Sequence, residues 1–298
     1  MKILLLGKDG QVGQELQRTL LSLGDVIALG RSSANLNDPD SLPTILDTHL
    51  PDIIVNAAAY TAVDKAESDQ EAATQINTHA VSSLAQYAKV RGALLVHYST
   101  DYVFDGASKT PYTETDPTGP QSVYGATKLA GETAILESGC KALIFRTSWV
   151  FSSQGGNFLK TILRLAHTKT SLNVVADQFG APTSAELIAD VTALAINSHC
   201  QQRLPEGIYH LTASGAASWY EFARYIVAGT AARGVTLQLS ADQINPIPAS
   251  NYPTPAKRPQ NSRLDTTKLS LALQLQMPHW TAHTDRAIDQ LIKLGLPT

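Results

Sequence analysis

Apolar residues in the first half of the chain fall into short continuous runs. Between them lie longer stretches in which apolar positions recur every three or four residues. The runs are residues 3–6 (ILLL), 26–29 (VIAL), 52–56 (DIIVN), 93–98 (ALLVHY) and 142–145 (ALIF). Runs of this length without polar alternation suit strands covered on both faces. The intervening stretches predict helices over residues 14–23 and 74–91. Strands alternating with helices in this way predict an α/β protein built on a doubly wound parallel sheet.

The second half is less regular. Residues 186–196 read as a helix that packs back on the first sheet, and residues 207–211 as a strand. Ser218 is a good N-cap for a helix from Trp219 onward. Residues 245–259 are dense in proline and predict an ordered loop rather than a regular element. The expected division puts a dinucleotide-binding region at residues 1–150, with 184–198 packing back on it. A smaller α+β substrate region then comprises residues 151–183 and 199–298.

Composition narrows the function classes. Charged residues are 16% of the 298 and the net charge is −3, so no basic field recruits nucleic acid. Cys140 and Cys200 are the two cysteines and show no metal-ligand spacing. The apolar start is too short for a signal peptide or a membrane span, and no other run approaches spanning length. The expectation is a cytoplasmic protein with no membrane partner.

Chemistry enters at residues 7–13 (GKDGQVG), between the first strand and the first helix. Gly7, Gly10 and Gly13 stand where a dinucleotide pyrophosphate meets backbone N–H groups and a helix N-terminus, the arrangement of a Rossmann-like sheet. An acid at the end of the second strand would hold the ribose 2′-hydroxyl of NAD. That strand runs instead into Gly30 and Arg31, and Arg31 suits the 2′-phosphate of NADPH. NADPH is therefore the expected cofactor, with NADH left open. The small residues that follow Asn56 allow close approach of a ligand or serve core packing.

Tyr124 and Lys128 stand four apart. Thr118 and Pro120 predict a helix over residues 120–137, which places the pair on one face. A neighbouring ammonium lowers a phenol's pKa, so Tyr124 could act as a general acid toward an alkoxide. The fourth strand ends in Ser99 and Thr100, where a hydroxyl could orient a substrate carbonyl. Thr100 is the preferred candidate and Ser99 the competing one.

With Thr100, Tyr124 and Lys128 in place, the chain resembles the extended short-chain dehydrogenase/reductases. More narrowly, it is similar to the nucleotide-sugar reductases of dTDP-L-rhamnose synthesis. The segments that carry the likeness are residues 56–67 (NAAAYTAVDKAE), 99–106 (STDYVFDG), 146–150 (RTSWV), 177–183 (DQFGAPT) and 258–264 (RPQNSRL). The resemblance implies NADPH-dependent reduction of the 4-keto group of dTDP-4-dehydro-L-rhamnose. It makes Tyr124 the proton donor, with Thr100, Asp101 and Lys128 around the sugar and Trp149 against it. Gly10, Gln11, Val12, Asn35, Leu36, Ala59, Tyr60, Thr61 and Tyr98 would touch the dinucleotide. Arg258, Asn261 and Arg263 would meet the nucleotide diphosphate.

The resemblance also implies a possible homodimer, in some relatives with a divalent ion such as Mg2+ at the contact. Glu15 and Glu186 match two carboxylates of that ion site, but Gln290 stands near the third position, and no metal is expected here. Rival readings are another nucleotide-sugar reductase or epimerase, or a non-catalytic NAD(P)-binding regulatory subunit. Dehydration is disfavoured because Tyr102, not a second acid, follows Asp101.

Overall fold

A computed structural model describes residues 1–295; the last three residues of the expected second region lie outside them. Five of the six central strands are β1 (Lys2–Leu6), β2 (Asp25–Leu29), β3 (Ile53–Asn56), β4 (Leu94–Thr100) and β5 (Lys141–Thr147). The sixth is Gly207–His210, and the spatial order is Gly207–His210, β5, β4, β3, β1, β2, parallel throughout. The expected division assigned that sixth strand to the second region. Its backbone instead pairs with Leu143 to Arg146 of β5.

Alternate residues of each strand enter two different cores. Ile3, Leu5, Val55, Val96 and Phe145 join one, and Leu4, Leu6, Ile54, Leu95 and Ile144 the other. The helices in the first half are α1 (Gln11–Thr19), α2 (Ser41–His49), α3 (Val63–Ala66), α4 (Gln70–Thr74), α5 (Ala80–Arg91) and α6 (Val123–Ser138). The helix expected from residue 74 begins at Gln70 and passes through a π-helical turn at Gln75–His79 before α5. The helix Ala185–Cys200 packs on α1.

The order in which successive strands join the sheet reverses between β1 and β3, while all strands stay parallel; ligands enter sheets of this kind at that point. Packing there is very close. Gly7 has φ +84, and a Cβ on it would lie 2.6 Å from the Ala58 nitrogen.

The second region shares the core on one face of the sheet, through Phe151, Leu159, Phe222 and Ile226. Its helix Trp219–Ala232 begins with a capping box, Ser218 and Glu221 satisfying each other's backbone N–H groups. The proline-dense stretch is not all loop: Ile244–Ile247 forms a strand parallel to Leu172–Val175. Pro246 fits because the ribbon has only two strands, so its missing N–H can face away from the partner. Among the described residues, no helix is long and apolar enough to cross a membrane.

Candidate active site

A cleft of about 680 Å³ opens over the C-terminal ends of β1, β3, β4 and β5. Gly7, Gly10, Gln11 and Val12 line one end, where α1 begins without a side-chain cap and without an acid in its first turn. Its first N–H groups are therefore open to an anion. Gly13 is buried beneath, and a Cβ there would run into the Gly7 carbonyl. Arg31, Asn35, Leu36, Ala59 and Thr61 line the same cleft. Tyr60 is turned away, its hydroxyl donating to Asp69 at 2.9 Å. This end fits a dinucleotide.

The other end holds Tyr98, Thr100, Asp101, Tyr124, Lys128 and Trp149. Helix α6 begins later than expected, with Ser122 as its N-cap accepting from Gly125 N–H. Thr118 and Pro120 lie outside it. Glu67 of the segment 56–67 accepts from Val123 N–H at 2.9 Å, so a carboxylate sits at the helix start, where the dipole favours it. That contact fixes the turn carrying Tyr124.

Thr100 differs from its expected part. Its hydroxyl donates to Asp101 Oδ1 at 2.9 Å and accepts from Tyr102 N–H at 3.2 Å. The same hydroxyl also acts on the Tyr124 phenol in the cleft, favouring its ionised form. Burial pushes the Tyr124 phenol up to about 12, with the Thr100 hydrogen bond pulling down and Asp101 pushing up. Burial also pushes Asp101 up to about 6, opposed by the hydroxyls of Ser262 and Thr100.

Lys128 does not lower the tyrosine's pKa in this arrangement. Its ammonium nitrogen is turned inward, 2.6 Å from the Tyr98 carbonyl and 3.2 Å from His97 Nε2. Burial pulls it down to about 8, against the opposing pull of Glu132. The hydrogen bonds behind it act in the same direction. Ala58 N–H donates to Asn56 Oδ1, so Asn56 turns its amide Nδ2 toward His97 Nδ1, at 3.2 Å. The ring proton then belongs on Nε2, facing Lys128, which favours the amine form of the lysine. His97, itself held well below its ordinary pKa by burial and then by Lys128, went unnoticed in the sequence because a histidine in an apolar run carries no signal of its neighbours.

Trp149 follows β5 with φ +50 and stacks on Trp219, ring centroids 3.4 Å apart and planes 7° apart. A side chain on Gly180 would occupy the indole's place. Sequence reasoning also missed Asp9, Ser148 and Asn157, which line the cleft. Asn157 donates to Gln11 Oε1 at 2.8 Å and so ties the loop after β5 to the glycine turn.

The segment 258–264 is the main departure. Arg258, Asn261 and Arg263 do not line the cleft. Arg258 is paired with Asp64 at 2.8 Å. Asn261 donates to the carbonyls of Ser108 and Thr110 and accepts from Arg263 N–H and Nε. Arg263 also donates to the Lys109 carbonyl at 2.7 Å. Asn261 and Arg263 thus satisfy one another and clamp the loop after β4, whereas the buried Arg258 Nε has no partner among the described residues.

Glu15 and Glu186 do not fit a divalent ion as they stand. Arg286 and Gln290 donate to the two oxygens of Glu186, each at 2.7 Å. Among the described residues, no three metal-ligating His, Cys, Asp or Glu side chains converge.

With this geometry in hand, the comparisons are specific. The family model for the RmlD substrate binding domain matches residues 1–293. A dTDP-4-dehydrorhamnose reductase of Burkholderia thailandensis is 50% identical over 284 residues, covering 94% of this chain and 95% of that one. A crystal structure of a dTDP-4-dehydrorhamnose reductase from Clostridium acetobutylicum superposes with TM-score 0.90 at 35% identity, covering 98% of this chain and 100% of that one. Another, from Bacillus anthracis in complex with NADP, gives TM-score 0.87 at 32% identity, covering 97% and 99%.

Proposed function

The chain belongs to the dTDP-4-dehydrorhamnose reductase family, a family of oxidoreductases, and from that premise we propose its reaction. It reduces the 4-keto group of dTDP-4-dehydro-L-rhamnose to give dTDP-L-rhamnose. The glycine turn and the open start of α1 support a nicotinamide dinucleotide as reductant, and the relative bound to NADP supports acceptance of the phosphorylated form alongside NADH. When bound, that cofactor supplies the hydride that C4 of the sugar receives.

The protein's own part is orientation and proton supply. Tyr124 carries its proton on the phenol oxygen at neutral pH, since burial holds the pKa at about 12. It passes that proton to the former ketone oxygen and remains a stronger acid than the sugar alcohol it makes. Thr100, beside the phenol in the same cleft, positions it toward the ketone oxygen. Lys128 holds a ribose hydroxyl of the cofactor, and Trp149 packs against the sugar ring. The diphosphate draws Arg258 away from Asp64.

The observation that carries this reading is the Tyr124–Thr100 pair at one end of the same cleft whose other end is the glycine turn. The test follows NAD(P)H oxidation with dTDP-4-dehydro-L-rhamnose in wild type and in Tyr124→Phe. Turnover that collapses in the variant, with cofactor affinity kept, supports both substrate and proton donor. Cofactor binding without turnover in the wild type overturns the proposed reaction.

A further inference from the structure

The end of β2 lacks an acid in the sequence, yet a carboxylate stands there in the fold. Gly7 and Lys8 both donate their N–H groups to the Leu29 carbonyl, at 2.9 and 3.2 Å. The glycine turn is thereby fastened to the end of β2. Asp9, next along that turn, lies against Gly30. A Cβ built on Gly30 would overlap one Asp9 carboxylate oxygen and lie 3.0 Å from its Cγ. The carboxylate thus fills the volume into which a side chain at position 30 would project.

Asp9 and Arg31 are both exposed, and both line the cleft beside Ala34, Asn35 and Leu36. Among the described residues no ion pair joins them, and neither oxygen of the Asp9 carboxylate accepts a hydrogen bond. Two free charges of opposite sign therefore face the place where this sheet receives a dinucleotide's adenosine ribose. A carboxylate there accepts hydrogen bonds from the ribose hydroxyls of NADH and repels a 2′-phosphate. A guanidinium attracts that phosphate.

We infer that Asp9 is the residue that reads the adenosine ribose, and that through it the protein takes NADH at least as readily as NADPH. Arg31 alone points to NADPH; Asp9, delivered by a different element, opposes it. Selectivity is then the difference between two nearby charges, each acting on one cofactor. Gly30 has a part in this because its missing side chain leaves Asp9 its place. The inference rests on the reading of this cleft as a nicotinamide-cofactor site and needs no assumption about the sugar.

The test is fluorescence titration of the full chain with NADH and with NADPH, without sugar nucleotide. In wild type, the NADH Kd should be equal to or below that for NADPH. Asp9→Ala should weaken NADH about tenfold and leave NADPH equal or tighter, while Arg31→Ala should weaken NADPH alone. Gly30→Ala, which displaces the carboxylate without removing it, should move the ratio the same way as Asp9→Ala. A wild type that binds NADPH the more tightly, or an Asp9→Ala variant whose two affinities change in parallel or not at all, would overturn the inference. Absence of binding by either cofactor would overturn it together with the reading of the cleft, whereas binding without sugar turnover would sink only the proposed reaction.

Discussion

The glycine turn and the segment 258–264 were equally visible in the sequence, and the fold treats them differently. In the turn, Gly7, Gly10, Gln11 and Val12 all reach the cleft. In the later segment, Arg258, Asn261 and Arg263 are occupied by Asp64, by one another and by the loop after β4. The difference lies in what makes each residue functional. A glycine in a strand-to-helix turn acts through its own backbone, which local sequence dictates. An arginine or asparagine acts through a partner, and the partner comes from elsewhere in the chain.

That contrast can be broken most forcefully at the proposed catalytic pair. Tyr124→Phe should lower kcat about a thousandfold, within the usual range for loss of a general acid, while the NADH and NADPH Kd values stay within about twofold. A small effect on kcat would mean that the proton comes from elsewhere.

In the clamp, Asn261→Ala strands two backbone carbonyls and frees Arg263. Denaturant titration should show a loss of about 2–4 kcal/mol, because the amide is buried with four hydrogen bonds. If stability held while the sugar-nucleotide KM rose strongly, Asn261 would be a ligand contact after all.

Asp101 tests the site's electrostatics through pH. Its folded pKa is raised from an ordinary 3.8 to about 6, so between these values the native state holds more proton than the unfolded chain. Stability should therefore fall as pH rises from about 4 to 6, by about 3 kcal/mol in total, and stay lower above that window. Thermal melts of Asp101→Asn should match wild type near pH 4 and lie above it near pH 8. Equal melting differences at both pH values would refute a buried, reluctantly ionised carboxylate.

The smallest effect belongs to Arg258. Its pair with Asp64 is part-exposed, at 31% and 39%, so Arg258→Ala should cost under about 1 kcal/mol of stability. The sugar-nucleotide KM should nonetheless rise several-fold if the diphosphate recruits this guanidinium. An unchanged KM would leave the segment purely structural.

The sheet was largely legible: continuous apolar runs marked β1, β3, β4 and β5 because strands buried on both faces have no polar side to show. The strand Gly207–His210 was also visible, but its place beside β5 was not, since a short strand does not name its neighbour. The ribbon strand Ile244–Ile247 was hidden by Pro246, because proline's meaning depends on whether its face of the strand must donate.

The Tyr124–Lys128 spacing and the glycine turn were legible in the sequence alone, since spacing along one helix or one turn is local geometry. Tertiary structure decided the rest. It turned Lys128 inward to His97 and Tyr98, gave the proton of Thr100 to Asp101, and set Asp9 beside Gly30. Hydrogen bonds and charges act over a few ångströms of space, and residues that far apart in space can stand tens of positions apart in the chain.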